Sequence, residues 1–426
     1  MKTIIQGVKG ARDFYPEDMA SRQWLYRVIR QVSESFGYQE WDGPFLERID
    51  LYAAKSGEEL VNQQSFVFND RGGESITLRP ELTPSLARMV AKRQSELVFP
   101  LRWWSFGPFW RYERPQKGRS REFFQWNIDM IGVDTPESDA ELIAICAEFF
   151  KHLGLKPQQI QIYVNDRRLT NSSLAELGVP EDKRPEVLHL IDRRDKLSPE
   201  AWEAYALEID LSPAQLAGLK VVLADKNLWK KSEALNRIFA TLENLGVRQY
   251  ASYNAQIIRG LDYYTAVVFE AYDLDGGRAI LGGGHYDNLV AAVGGEQLPA
   301  VGFAMGDMMI TLVLKKYGLL PERVTLADAV LVTVFDEDRL AASYSMAAEL
   351  RKAGLKVVCY PEVVKLPKQL KYADRVGIRA AVIIGPEEQV KQQVVVKDLA
   401  ARTQETVSRV EVAGILNQML AKDKSV

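Results

Sequence analysis

The chain of 426 residues carries a formal net charge of −3, with 47% hydrophobic and 26% charged residues. That length predicts about two to three domains, and the composition is that of an ordinary globular protein with material for a large core. Three classes are excluded: no run approaches the roughly eighteen apolar residues of a membrane helix, the N-terminus MKTIIQGVKGARDFYPEDM lacks a signal peptide's apolar stretch, and net charge cannot drive nonspecific nucleic-acid binding.

In chain order, Arg22 to Phe36 (RQWLYRVIRQVSESF) carries apolar residues at helical spacing, and GYQEWDGPFLE after it reads as a strand. β-rich sequence continues to about Gly132, followed by a helix over Asp139 to Leu153 and a strand over Gln161 to Asn165. From about 166 to 246 the pattern is helical and charged, punctuated by Pro180, Pro185, Pro199 and Pro213. This stretch fits either a helical insertion or the helical cover of a sheet. The β pattern resumes at Tyr250 to Phe269, and a boundary falls near Leu320 and Pro321. Beyond it ADAVLVTVF, a helix to Gly354, KVVCY, a helix around Lys368 to Val376 and AAVIIG alternate strand and helix. That order predicts a small α/β domain with a largely parallel sheet. Cys146 and Cys359 lie in apolar settings and are expected to be buried thiols in a reducing cytosol. Two Cys and three dispersed His offer no structural zinc site.

Three segments carry chemistry. Arg111 to Gln125, RYERPQKGRSREFFQ, holds five Arg or Lys against two Glu, flanked by Trp110, Tyr112, Phe123 and Phe124. It reads as strand (Phe109 to Glu113), cationic loop (Arg114 to Ser120) and strand (Phe123 to Ile131). Guanidiniums suit polyphosphate because their paired donors match phosphate oxygens, and an aromatic beside them can stack on a base. Taken alone, the run is more simply a solvated basic loop. The second segment, Arg79 to Ala87 (RPELTPSLA), follows the strand-like Ser75 to Leu78. Glu81 and Thr83 could hold an ammonium there; the bland alternative is a helix start with Thr83 as N-cap and Pro84 at the first position. The third is RGLDYY (Arg259 to Tyr264), followed by GGGHYDNLV from Gly282. Gly260 permits close backbone approach beside an Arg and two Tyr.

Together with GARDFYPEDM from Gly10, these motifs resemble the histidyl-tRNA synthetases, class II aminoacyl-tRNA synthetases, over nearly the whole chain. The resemblance implies an α+β catalytic domain with an antiparallel sheet over 1–321, a helical insertion at about 166–246, and an α/β anticodon-binding domain over 326–426. The helix and strand around Pro44 would be the motif 1 unit of a homodimer interface. Arg111 would match the motif 2 arginine on the α-phosphate of ATP, and Arg259 the family's own arginine opposite it. Arg119 and Arg121 would reach the other phosphates, Glu113 the adenine amino group, and Phe123 the adenine ring. Glu81, Thr83 and Gln125 would hold the histidine ammonium. Asp129, Tyr264 and Tyr286 would recognise its imidazole, while Tyr263 is as readily structural. Magnesium is expected with ATP, tRNA(His) as partner, and the cytoplasm as location.

The sequence departs from the family pattern at three positions. Met309, in GFAMGDMMI, stands where motif 3 offers an arginine that stacks on adenine. His285 replaces the arginine usual before the Tyr-Asp pair. Asp129 stands where many members carry the longer Glu. An alternative follows: a paralogue that does not aminoacylate, such as the regulatory subunit of ATP phosphoribosyltransferase. The retained RGLDYY, the cationic loop and the appended α/β domain argue against it.

Overall fold

The computed structural model describes residues 4–53, 63–114, 116, 118–259, 264–321 and 326–421. The chain divides into two compact units, one of Met1–Asp13 with Gln23–Leu320, the other of Phe14–Arg22 with Pro321–Val426.

The larger unit is built on an eight-stranded sheet. Its strands are β1 (Gln39–Glu40), β5 (Leu101–Trp110), β6 (Glu122–Ile131), β7 (Ile160–Asp166), β8 (Ala251–Tyr253), β9 (Val267–Asp273), β10 (Leu281–Tyr286) and β11 (Ala300–Gly306). They run in the order β1-β5-β6-β11-β10-β9-β7-β8. Every pairing from β5 to β7 is antiparallel, and only the two edges, β1 on β5 and β8 on β7, are parallel. A three-stranded sheet of β2 (Leu46–Arg48), β3 (Phe66–Asn69) and β4 (Ser75–Leu78) lies within the same unit, in the order β2-β4-β3. The expected strand through GYQEWDGPFLE is thus two short strands. Asp42-Gly43-Pro44 breaks them, because Pro supplies no ladder donor and biases the residue before it.

The basic run does form a hairpin, shifted from its expected limits. β5 begins at Leu101 and ends at Trp110, which pairs with Glu122 at the mouth of the loop. The apolar content of Leu101 to Phe109 keeps the strand in the core, with Trp104 and Phe109 fully buried.

The helix Pro136–His152 is apolar nearly all round, so it is buried rather than amphipathic; Ile143, Ile145, Cys146 and Phe149 are all inaccessible. Between β7 and β8 run helices Arg167–Glu176, Arg184–Asp192, Pro199–Glu208, Pro213–Ala224 and Glu233–Asn244. The first and last of these pack on the sheet side, against β7. Ser198 and Ser212 cap the two helices that open with Pro, so those prolines start helices, as their position one residue after a Ser foretells.

The smaller unit has a five-stranded sheet of β12 (Ala329–Val332), β13 (Lys356–Cys359), β14 (Ala380–Ile383), β15 (Gln393–Asp398) and β16 (Thr403–Ser408), in the order β13-β12-β14-β15-β16. Only β12 with β13 and β12 with β14 are parallel; β15 and β16 form an antiparallel hairpin that the reading of strand–helix alternation omitted. Helix Leu366–Val376 ends on Gly377 at φ 78°, a left-handed position suited to glycine. Among the described residues no helix is long and apolar enough to cross a membrane, and both cysteines are free thiols, Cys146 buried and Cys359 half-buried.

Candidate active site

The loop between β5 and β6 delivers Arg111 to one wall of a cavity of about 760 Å3. The Arg111 backbone N–H donates to the Arg121 carbonyl at 2.9 Å, closing the hairpin one residue past the strand end. Its Nε donates to the Pro80 carbonyl at 2.9 Å, and its guanidinium lies 5.5 Å from the Phe123 ring centre. The cationic hairpin and the RPELT segment therefore meet at Arg111. Glu113 and Arg119, both lining the cavity, form an ion pair at 3.2 Å. Phe123 stacks on Phe109 with centroids 5.9 Å apart.

Arg259 lines the same cavity. It holds a left-handed φ of 55°, costly for a side chain with a Cβ and maintained here by its setting. Its Nη1 lies 3.2 Å from the Glu270 carboxylate on β9, and its guanidinium 5.5 Å from the Tyr264 ring centre. Gly260 and Tyr263 of the RGLDYY motif lie outside the described residues.

Glycines in β10 and β11 make the room. A Cβ at Gly282 would fall 1.2 Å from Arg259 Nη1, one at Gly284 would fall 2.7 Å from the Tyr264 ring, and one at Gly302 would fall 2.0 Å from the Asp129 carboxylate. The glycines of β10 and β11 thus let Arg259, Tyr264 and Asp129 lie close against backbone.

Asp129, on β6, is wholly buried and accepts a hydrogen bond from the Tyr286 hydroxyl at 2.8 Å. Burial pushes its carboxyl up to about 7, and the Tyr286 bond only partly opposes that. Tyr264 is buried, with its carbonyl bonded by Arg167 Nη1 at 2.7 Å. Three of the imidazole candidates are therefore in one region, two of them in contact.

The remaining candidates are placed as follows. Thr83 opens helix Thr83–Arg93, but Leu82 is its cap and no side chain caps it, so the capping alternative for Thr83 does not apply. Glu81 follows Pro80 directly, and its carbonyl accepts from the Tyr52 hydroxyl at 3.3 Å. Gln125 sits in β6 between Gly107 and Gly306. Arg121 lies apart from the cavity lining: its guanidinium is 4.0 Å from the Tyr112 ring centre and its Nε donates to the Glu113 carbonyl at 3.2 Å.

His285 alternates to the opposite face of β10 from Tyr286. Its Nδ1 lies 3.0 Å from Asp139, and its Nε2 3.2 Å from Asp287 and 3.5 Å from Asp134. Burial by itself lowers its basicity, but the Asp139 hydrogen bond and the three carboxylates outweigh this and raise it. The direction of that shift favours the protonated ring.

Sequence reasoning gave no role to Arg79. Its fully buried guanidinium lies between the Phe45 and Phe109 rings, 4.6 and 4.7 Å from their centres. It donates to the carbonyls of Pro108 and Gly43, each at 3.0 Å, and to the Asp42 carboxylate at 2.5 Å. This ties the broken strand at Asp42-Gly43 to the end of β5, immediately before Arg111. An arginine directly before Pro80 was visible in the sequence; its burial was not.

Comparison with known proteins decides what this arrangement belongs to. The histidyl-tRNA synthetase family matches residues 10–309, and an anticodon binding domain matches 328–419. The chain belongs to the histidyl-tRNA synthetase family. It is 38% identical over 435 residues to the histidine–tRNA ligase of Opitutus terrae, covering 98% of this chain and 99% of that one. It is also 38% identical to the chloroplastic/mitochondrial histidine–tRNA ligase of Arabidopsis thaliana, over 95% of this chain and 85% of that one. The crystal structure of histidyl-tRNA synthetase from Nostoc sp. PCC 7120 superposes with a TM-score of 0.84 at 25% identity, covering 98% of this chain and 100% of that chain. The two matches together reach from residue 10 to 419.

Proposed function

We propose that the chain ligates L-histidine to tRNA(His) through histidyl-adenylate. A histidine carboxylate oxygen attacks the α-phosphorus of ATP and pyrophosphate leaves. The terminal 3′-hydroxyl of the tRNA then attacks the acyl carbon, and AMP leaves. Such transfers need positioning and charge neutralisation rather than a covalent nucleophile. The observation that carries this reading is that Arg111 and Arg259 line one cavity.

In this reading Arg111 and Arg259 stabilise the pentavalent α-phosphate, Arg119 the outer phosphates, Glu113 the adenine amino group, and Phe123 the ring. Arg121, stacked on Tyr112, steadies the loop backbone through Glu113 until ATP binds. Glu81, Thr83 and Gln125 hold the ammonium. Asp129, Tyr264 and Tyr286 select imidazole, because a ligand that leaves these buried groups unpaired is strongly rejected. Among the described residues no group of three His, Cys, Asp or Glu is arranged to hold a metal. Magnesium would enter with ATP, held chiefly by its phosphate oxygens. A homodimer, readable as twice the 48.1 kDa chain mass by sedimentation, and a cytoplasmic location complete the reading, although the Arabidopsis relative is by name organellar.

ATP–pyrophosphate exchange with each of the twenty amino acids tests it. Exchange with histidine alone is expected; none with any amino acid, in folded protein, would favour the regulatory paralogue. Arg259→Ala should lower adenylate formation by roughly a hundred- to thousandfold, the usual loss of about 3–4 kcal/mol for one transition-state donor. Histidine binding by calorimetry should persist, and near-normal exchange would remove Arg259 from the mechanism.

A further inference from the structure

The resemblance puts Met309 where motif 3 offers an arginine. Met309 lies in the first turn of helix Asp307–Lys316. That turn is fixed, because the Asp307 carboxylate accepts from the Phe124 N–H at 3.0 Å and from Arg12 Nη2 at 2.8 Å. The Met309 thioether is tucked beneath the tip of the cationic loop, where a Cβ on Gly118 would come 2.5 Å from its sulfur. Met308 and Met309 give this wall of the cavity an apolar, uncharged surface.

The other cavity cations are engaged. Arg111 bonds the Pro80 carbonyl, Arg119 pairs with Glu113, Arg259 with Glu270, and Lys196 with Asp192 at 2.6 Å. Arg278 differs. It sits in the turn between β9 and β10, where Gly276 and Gly277 adopt φ of 93° and 137° and bend the chain sharply. It is exposed, lines the same cavity as Phe123, Glu113 and Met309, and pairs with no carboxylate among the described residues.

We propose that Arg278 supplies, from the β9–β10 turn, the cation on the purine face of ATP that the Met309 position no longer provides. A guanidinium is planar and weakly hydrated, so it stacks on a π-system at small desolvation cost. Phe123 is left for the other face. The substitution moves the charge from a helix start to a turn without altering the phosphate-binding arginines. This inference rests on the adenylating reading of the site.

The test measures the ATP KM in histidine-dependent exchange, and the Ki of inorganic tripolyphosphate against ATP, for the full chain and for Arg278→Met. A stacking cation predicts that Arg278→Met raises the ATP KM by roughly three- to thirtyfold. The histidine KM, kcat at saturating ATP and the tripolyphosphate Ki should stay within about twofold. Arg278→Lys should recover part of the loss, and Arg278→Met combined with Met309→Arg should recover most of it. An unchanged ATP KM would overturn the proposal. So would an equal loss of tripolyphosphate inhibition, which would put Arg278 on the phosphates instead. Absence of exchange in the unaltered chain would sink the adenylating reading rather than this one; ATP binding by calorimetry with and without Arg278→Met then still decides the role of Arg278.

Discussion

In the proposed reading the buried Asp129 carboxyl accepts from an imidazole N–H. Its carboxyl is raised from 3.8 to about 7 because burial penalises the anion more than the Tyr286 hydroxyl supports it. The raised value has a definite sign in stability. Between about pH 4 and 7 the folded chain holds a proton that the unfolded chain has lost, so stability from this group is full below pH 4 and declines until pH 7. The cost of forcing ionisation is on the order of 4 kcal/mol at most. Asp129→Asn, which cannot ionise, should therefore show a shallower loss of stability from pH 4 to 7 in urea titrations. Parallel slopes for the two proteins would contradict the buried, protonated carboxyl. The same variant should raise the histidine KM more than tenfold while leaving the ATP KM close to unchanged, since an amide cannot release a proton to become the anion that a charge-assisted bond to the ring nitrogen requires.

The strand is the unit that arranges the site. β10 carries Gly282, Gly284 and Tyr286 on one face, each beside a functional group, and His285 on the other among Asp134, Asp139 and Asp287. This alternation follows from the period of two of a strand. Gly282→Ala should be cheap for the fold, because the atom its Cβ meets is the tip of a flexible arginine rather than backbone. It should be costly for activity, because that arginine is Arg259. The expectation is a melting temperature within a few degrees of the parent and exchange reduced by roughly a hundredfold. A large fall in melting temperature, or undiminished exchange, would each contradict the packing of Arg259 over Gly282. The hairpin of β5 and β6 likewise places Arg111 at the cavity, with the Arg79 guanidinium near its base against Phe45 and Phe109.

At the scale of the molecule, the two matches fall on successive stretches, the histidyl-tRNA synthetase family on 10–309 and the anticodon binding domain on 328–419. The unit of Pro321–Val426, with Phe14–Arg22, contains the region matched by the anticodon binding domain. Changing the anticodon of a tRNA(His) transcript should therefore raise its KM in aminoacylation while leaving ATP–pyrophosphate exchange untouched. Equal charging of both transcripts would deny that domain its role in selection.

Some of this was legible in the residues themselves. The helix near Arg22 to Phe36, the cationic hairpin and the strand–helix alternation after Pro321 are local patterns, and local patterns survive into the fold because they reflect backbone propensity and periodic burial. The motifs RPELT, RYERPQKGR and RGLDYY likewise declared the family. Other features were not local. That β15 and β16 turn the second sheet mixed, that Arg79 is buried, and that Arg278 and Met309 line one cavity depend on residues far apart in sequence. The sequence determined which chemical groups are present and which family they fit. Only the tertiary structure decided which groups share a wall, which are paired, and how strongly burial shifts Asp129, because proximity and desolvation are properties of the packed chain.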